Sequence, residues 1–139
     1  MPFFGPTMPY PQVDPDTQEF WDACKEHRLL IQQCTNCKNF RFAPVPICYE
    51  CNSWEYDLVE SEGIGEVYTW TITHSPIHPA VVDVVPYNTV AVKLLDCGGA
   101  TITSNLVGVS NDEIKAGMRV KVEWDEVTPD ITLPRFRPV

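Results

Sequence analysis

Cys34-Thr-Asn-Cys37 and, ten residues later, Cys48-Tyr-Glu-Cys51 constrain the fold of this chain more than any other feature. Each pair sets two sulfurs on one tight loop, and the segment between is long enough to bring the pairs face to face. The four can therefore close one tetrahedral thiolate site. The spacing predicts a zinc ribbon. Four thiolates also suit a single iron, and zinc is the expected ion. Because four sulfurs fill the tetrahedron, the expected role of the metal is structural, holding a subdomain too small to fold on apolar burial.

The rest of the chain bounds what surrounds that site. With 139 residues, 44% of them apolar, it can bury one modest core plus a metal-stapled unit, so two compact units are expected. There is no apolar run long enough for a membrane span and no basic-then-apolar start of the signal-peptide kind, so a cytoplasmic protein is expected. In that reducing compartment paired cysteines read as ligands rather than disulfides, and Cys24 and Cys97 read as free thiols. Nineteen acidic against ten basic side chains give a net charge of -9, the wrong sign for attraction to a phosphate backbone. Nucleic acid is disfavoured on that ground. Local clusters of cations (Lys25, His27, Arg28, Lys38 and Arg41 near the ribbon, Arg135 and Arg137 near the C-terminus) still leave a patch for a small polyanion.

Met1 to Val13 carries four prolines with Phe3, Phe4, Met8 and Tyr10, and reads as an apolar arm that docks elsewhere. Asp14-Pro15 reads as a helix start, with the helix running to about Arg28 and placing Phe20, Trp21 and Cys24 on one face. That face is either core or a partner surface. Leu29–Gln33 and Trp54–Val59 read as strands entering and leaving the ribbon, with a proline-broken strand from Phe40 to Pro46 between the knuckles. Lys38 and Asn52 follow the knuckles where a left-handed backbone is needed. After Gly65 the pattern changes to five alternating strands: Glu66–His74, Tyr87–Leu95, Ala100–Val107, Arg119–Val127 and Thr132–Phe136. Asp96-Cys97-Gly98-Gly99 reads as a hairpin turn, and Ser110–Lys115 as a helical turn between the third and fourth of these strands. The fold expected is mainly β, an N-terminal helix, a zinc ribbon and a five-stranded OB-fold barrel. The corresponding units are residues 1–28, 29–60 and 61–139.

No group of residues assembles a complete active site. His74 and His78 lie on a proline-broken loop with no third ligand nearby and read as surface groups. Cys97 sits in a turn with no sign of activation. Asp125-Glu126 reads as a solvated strand end. Tyr68, Trp70, Tyr87 and Trp124 read as barrel filling, with too few cations among them for a single-stranded nucleic-acid surface.

Taken together, Phe20-Trp21, the segment Leu29-Leu30-Ile31-Gln32-Gln33-Cys34, the paired knuckles, Gly65-Glu66-Val67-Tyr68-Thr69-Trp70-Thr71, His78-Pro79 and the ending Leu133-Pro134-Arg135-Phe136-Arg137-Pro138 resemble an acyl-CoA-associated family. Its members join a rubredoxin-like zinc ribbon to an OB-fold and have been labelled domain of unknown function thirty-five. The resemblance implies a noncatalytic accessory subunit of a thiolase or thiolase-like aldolase complex acting on acyl-CoA, required for stability of the complex and for admitting or binding substrate. A hot-dog-fold hydratase is the alternative partner, and an OB-fold binder of single-stranded nucleic acid the alternative from another class. It also implies Cys34, Cys37, Cys48 and Cys51 as zinc ligands. Lys38, Phe40, Arg41, Phe42, Arg135, Phe136 and Arg137 become candidates for CoA or partner contact, and Phe20 and Trp21 for a partner-facing helix surface.

Overall fold

A computed structural model describes residues 3–139. Helix α1 (Gln18–Lys25) is shorter than the sequence suggests. Asp14 closes a separate turn, its carboxylate accepting from the backbone N–H and the hydroxyl of Thr17, each at 3.0 Å. The helix ends in a Schellman arrangement: the N–H of His27 donates to the carbonyl of Cys24 and that of Arg28 to Ala23, with His27 left-handed at φ 60°. Arg28 therefore lies beyond the helix and turns the chain into the first strand.

Strand β1 (Leu29–Cys34) is the centre of a three-stranded antiparallel sheet, flanked by β2 (Phe40–Arg41) and β3 (Tyr56–Ser61). The strand expected from Phe40 to Pro46 shrinks to two residues. Pro44 and Pro46 have no N–H to donate to a ladder, so pairing stops before them.

The second sheet holds β4 (Ile64–Thr73), β5 (Tyr87–Leu94), β6 (Thr101–Ser104), β7 (Arg119–Glu126) and β8 (Thr132–Pro138), in the order β6-β5-β4-β7-β8. Alternation drives it: along β5, Asn88, Val90, Val92 and Leu94 are buried while the residues between are not. A bridge between Leu106 and Phe136 brings the two outer strands together, so the sheet curls into the half-barrel of an OB-fold. Gly98 (φ 61°) and Gly99 (φ 76°) make the β5–β6 turn, and a short 3-10 turn, Asn111–Glu113, stands where a helical turn was expected between β6 and β7.

One apolar cluster runs through both sheets. Phe20 and Cys24 of α1 and Leu29 and Ile31 of β1 pack with Val67, Val92, Leu94, Ile102, Val120 and Phe136 of the barrel. Each such side chain contributes roughly 1.5–3 kcal/mol by leaving water. Phe20, only 4% exposed, is thus a core residue and not part of a partner-facing surface; Trp21 alone of that pair is partly open. The barrel aromatics also depart from expectation, since Tyr68 and Trp70 stand 59% and 38% exposed. Trp124 is half-buried and stacks on the His27 ring at 5.6 Å.

Candidate metal centre and flanking surfaces

The two knuckles are built alike. In the first, the N–H of Lys38 donates to the carbonyl of Cys34 at 3.0 Å, and the N–H of Cys34 to Asn39 at 2.9 Å. In the second, Asn52 donates to Cys48 at 2.8 Å and Cys48 to Ser53 at 2.9 Å. Each loop closes through a left-handed residue, Lys38 at φ 65° and Asn52 at φ 64°, the positions the sequence marks for that geometry. The turns aim four sulfurs at one point.

All four Sγ atoms lie within 4.8 Å of one another, and Cys34–Cys51 and Cys37–Cys48 are each 3.6 Å apart. Zn–S bonds of ~2.3 Å in a tetrahedron place sulfurs about 3.8 Å apart, so the donor set fits a zinc ion, which would serve here as a structural cross-link. The N–H of Cys37 lowers the Cys34 thiol to about 6, and the Asn36 amide, 3.4 Å from the Cys51 sulfur, lowers that thiol too. Cys37 is raised to about 11: the Asn39 N–H favours its thiolate, but burial and the neighbouring thiols outweigh it. Such a group of sulfurs cannot all carry charge without a cation among them. Among the described residues this is the one cluster suited to a metal, and His78 instead accepts the N–H of Ala80 at 3.0 Å.

The other candidate contact residues separate into outward and inward groups. Lys38 is exposed and borders, with Phe40, Tyr49 and Gly98, a groove at the seam between ribbon and barrel. A Cβ on Gly98 would stand 2.8 Å from Cδ2 of Phe40, so the ring rests directly on the turn. Phe42 is half-buried against Phe20 at 5.3 Å between ring centres. Arg137 is exposed and paired with Glu123; the hydrogen bond and then the opposite charges raise the guanidinium pKa further and lower that of the carboxylate.

Arg41, Arg135 and Phe136 are inward. Arg41 is 2% exposed, donates from Nη2 to the carbonyl of Val45 at 3.1 Å and lies over the Tyr56 ring at 5.3 Å, with Nε and Nη1 buried and unpartnered. The N–H of the same Val45 donates to Oε1 of Gln32 at 3.0 Å, so two side chains hold the two successive peptide groups that flank one residue. Tyr56 in turn donates to Glu19 at 2.9 Å. Phe136 is fully enclosed in the core. A surface contact by these three side chains does not fit their placement.

Arg135 anchors a network that sequence reasoning missed. Its Nε donates to Asp125 at 3.1 Å and its Nη1 to Asn105 at 2.7 Å. Burial lowers its pKa, against the opposing pull of Asp125. Asp125 is only 9% exposed, which corrects its reading as a solvated carboxylate; of the Asp125-Glu126 pair only Glu126 is on the surface, 3.0 Å from His27. The signal lay in hairpin register, because β8 pairs Arg135 with Glu123 and places Asp125 two residues along the same face. The N-terminal arm caps this network: Phe3 donates its N–H to Asp125 at 3.0 Å, and the Phe3 and Phe4 rings lie 5.4 and 5.6 Å from the guanidinium. The arm docks as its composition predicts, within the described residues; Met1 and Pro2 lie outside them.

The chain matches two family models of ChsH2, the rubredoxin-like zinc ribbon domain over residues 21–55 and the C-terminal OB-fold domain over residues 58–125. A solved structure titled Ltp2-ChsH2(DUF35) aldolase aligns with a TM-score of 0.82 and 40% identity, covering 93% of this chain and 98% of that one. A protein of unknown function from the DUF35 family of Sulfolobus solfataricus shares the fold, with a TM-score of 0.67 at 15% identity over 94% of this chain and 90% of that one. Among curated proteins, a probable enoyl-CoA hydratase alpha subunit of Thermomonospora curvata is 41% identical over 94% of this chain. A 3-oxo-4,17-pregnadiene-20-carboxyl-CoA hydratase alpha subunit of Mycobacterium tuberculosis is 30% identical, also over 94%. The chain spans 40% of the length of each of these curated relatives. No helix among the described residues is long and apolar enough to cross a membrane.

Proposed function

The chain belongs to the ChsH2 family of DUF35 proteins, a rubredoxin-like zinc ribbon joined to an OB-fold, and from that premise we propose that it is the noncatalytic accessory subunit of a thiolase-like aldolase or thiolase. The complex would act on an acyl-CoA in the cytoplasm, with the partner supplying nucleophile and acid/base groups and this chain stabilising the assembly and helping to admit substrate. The observation that carries the reading is the alignment with the aldolase structure, which extends over 98% of the matched chain at 40% identity. Of the candidate contacts, the exposed Lys38 and Arg137 and the half-buried Phe40 and Phe42 are open enough to meet CoA or partner, as is Trp21 on the helix.

The relatives' names favour a second reading, a subunit of an acyl-CoA hydratase. Those relatives are much longer, and more than half of each lies outside the matched region, where the hydration chemistry has room to reside. The test is to express the chain with thiolase-like and hydratase-like proteins of its own source, recover what binds in fixed ratio, and assay the complex for retro-aldol cleavage, thiolysis and hydration of acyl-CoA. Stoichiometric recovery of a thiolase-like subunit with cleavage activity is the expected result. Activity of the isolated chain on acyl-CoA, or recovery of a hydratase alone, would overturn it.

A further inference from the structure

The hairpin of β4 and β5 leaves the barrel in a way that the accessory role does not by itself explain. From Val67 to Val82 sixteen residues pass without Asp, Glu, Lys or Arg, the longest such run in a chain of net charge -9. Strand β4 pairs with β7 only over Ile64–Glu66, and that edge ends at the main-chain bonds of Val67 with Met118 and Gly117. Past a register shift between Val67 and Thr69, the strand has β5 as its neighbour on one side and, among the described residues, no strand on the other. Four consecutive residues, Tyr68-Thr69-Trp70-Thr71, are exposed, so both faces of the strand as well as its edge stand clear of the barrel. An ordinary barrel strand would bury every second residue.

Exposed edges are normally blunted by Lys, Pro, inward charges or short length. This one has β-branched and aromatic residues throughout, the composition most favourable for pairing. Free backbone donors and acceptors specify the occupant's form, an extended strand, since only that matches their spacing. Charge specifies its source: a second copy would set another net charge of -9 alongside, whereas a different subunit need not. We infer that the free edge of β4, Tyr68–Thr73, is the docking site for an extended strand of the thiolase-like catalytic subunit, which adds to the sheet by β-augmentation. This inference rests on the proposed accessory role.

The test measures amide hydrogen exchange in the full chain, alone and bound to the thiolase-like subunit that co-purifies with it, together with binding of the variants Trp70→Glu and Thr71→Lys. Amides between Tyr68 and Thr73 are expected to exchange at least tenfold more slowly in the complex. Each variant is expected to weaken association at least tenfold while retaining wild-type metal content and circular dichroism. A complex that forms with unchanged exchange in this segment, and with variants that bind like wild type, would overturn the docking edge and leave the accessory role standing. Failure to form any complex with a thiolase-like subunit would overturn both. Protection that grows with the concentration of the chain alone would assign the edge to a second copy and reject the partner strand.

Discussion

The ribbon and the barrel solve the same problem by different means. From Cys34 to Glu55 only Cys34, Arg41 and Cys48 are buried, whereas the eight residues of β5 bury four side chains, three of them aliphatic. A segment that hides so little apolar surface cannot offset the entropy of ordering its backbone, and its cohesion must come from the metal. The barrel is expected to hold without such an ion, on its buried apolar side chains. The contrast separates a part of the molecule stabilised by four bonds to one point from a part stabilised by many weak contacts spread over five strands.

The sharpest way to break the comparison is to remove the metal. Cys34→Ser, or a strong chelator, forfeits a share of the roughly 10–16 kcal/mol that structural zinc supplies to small modules. Metal analysis is expected to show loss of the ion, and amides from Cys34 to Glu55 to lose protection while β5 and β7 keep theirs. Uniform loss across both regions would show that the barrel depends on the metal as well. The converse substitution, Phe136→Ala, is expected to cost about 3–5 kcal/mol in denaturant unfolding with metal content unchanged, because its cavity opens in the centre of the barrel. Asp125→Ala strands the Arg135 guanidinium in a buried site and is expected to cost about 3 kcal/mol, with the arm released and Phe3 and Phe4 open to proteolysis. A cost under about 0.5 kcal/mol would show the pair to be solvated instead. The mildest change falls at the seam: Gly98→Ala meets both a left-handed backbone and the Phe40 ring, for an expected loss of about 1–2 kcal/mol. Its signature is altered exchange at Phe40 as well as in the β5–β6 turn, which would separate a coupled seam from two independent units.

How far each part could be read from the sequence follows the same division. The metal site was legible because knuckle spacing alone determines it, and Lys38 and Asn52 adopt the backbone that the spacing demands. The barrel strands were legible because alternation reports a face. What alternation cannot report is the third neighbour of a strand. Tyr68 and Trp70 look like barrel residues by pattern, yet β4 outruns β7 and leaves them outside. Asp125 was misread for the opposite reason, because a carboxylate at a strand end looks solvated until the register of β7 on β8 brings Arg135 to it. Arg41 stands among the expected contacts as a cation near the ribbon that could meet a CoA phosphate; its burial depends on a loop that folds back over it, which no local pattern encodes.

That loop has a consequence for how this sequence can diverge. Because Gln32 holds the N–H of Val45 and Arg41 holds its carbonyl, neither side chain can be replaced alone without freeing the backbone on one side of the same residue. Positions 32 and 41 should therefore drift together among descendants, and a lineage that lengthens or shortens the segment between the knuckles should carry changes at both.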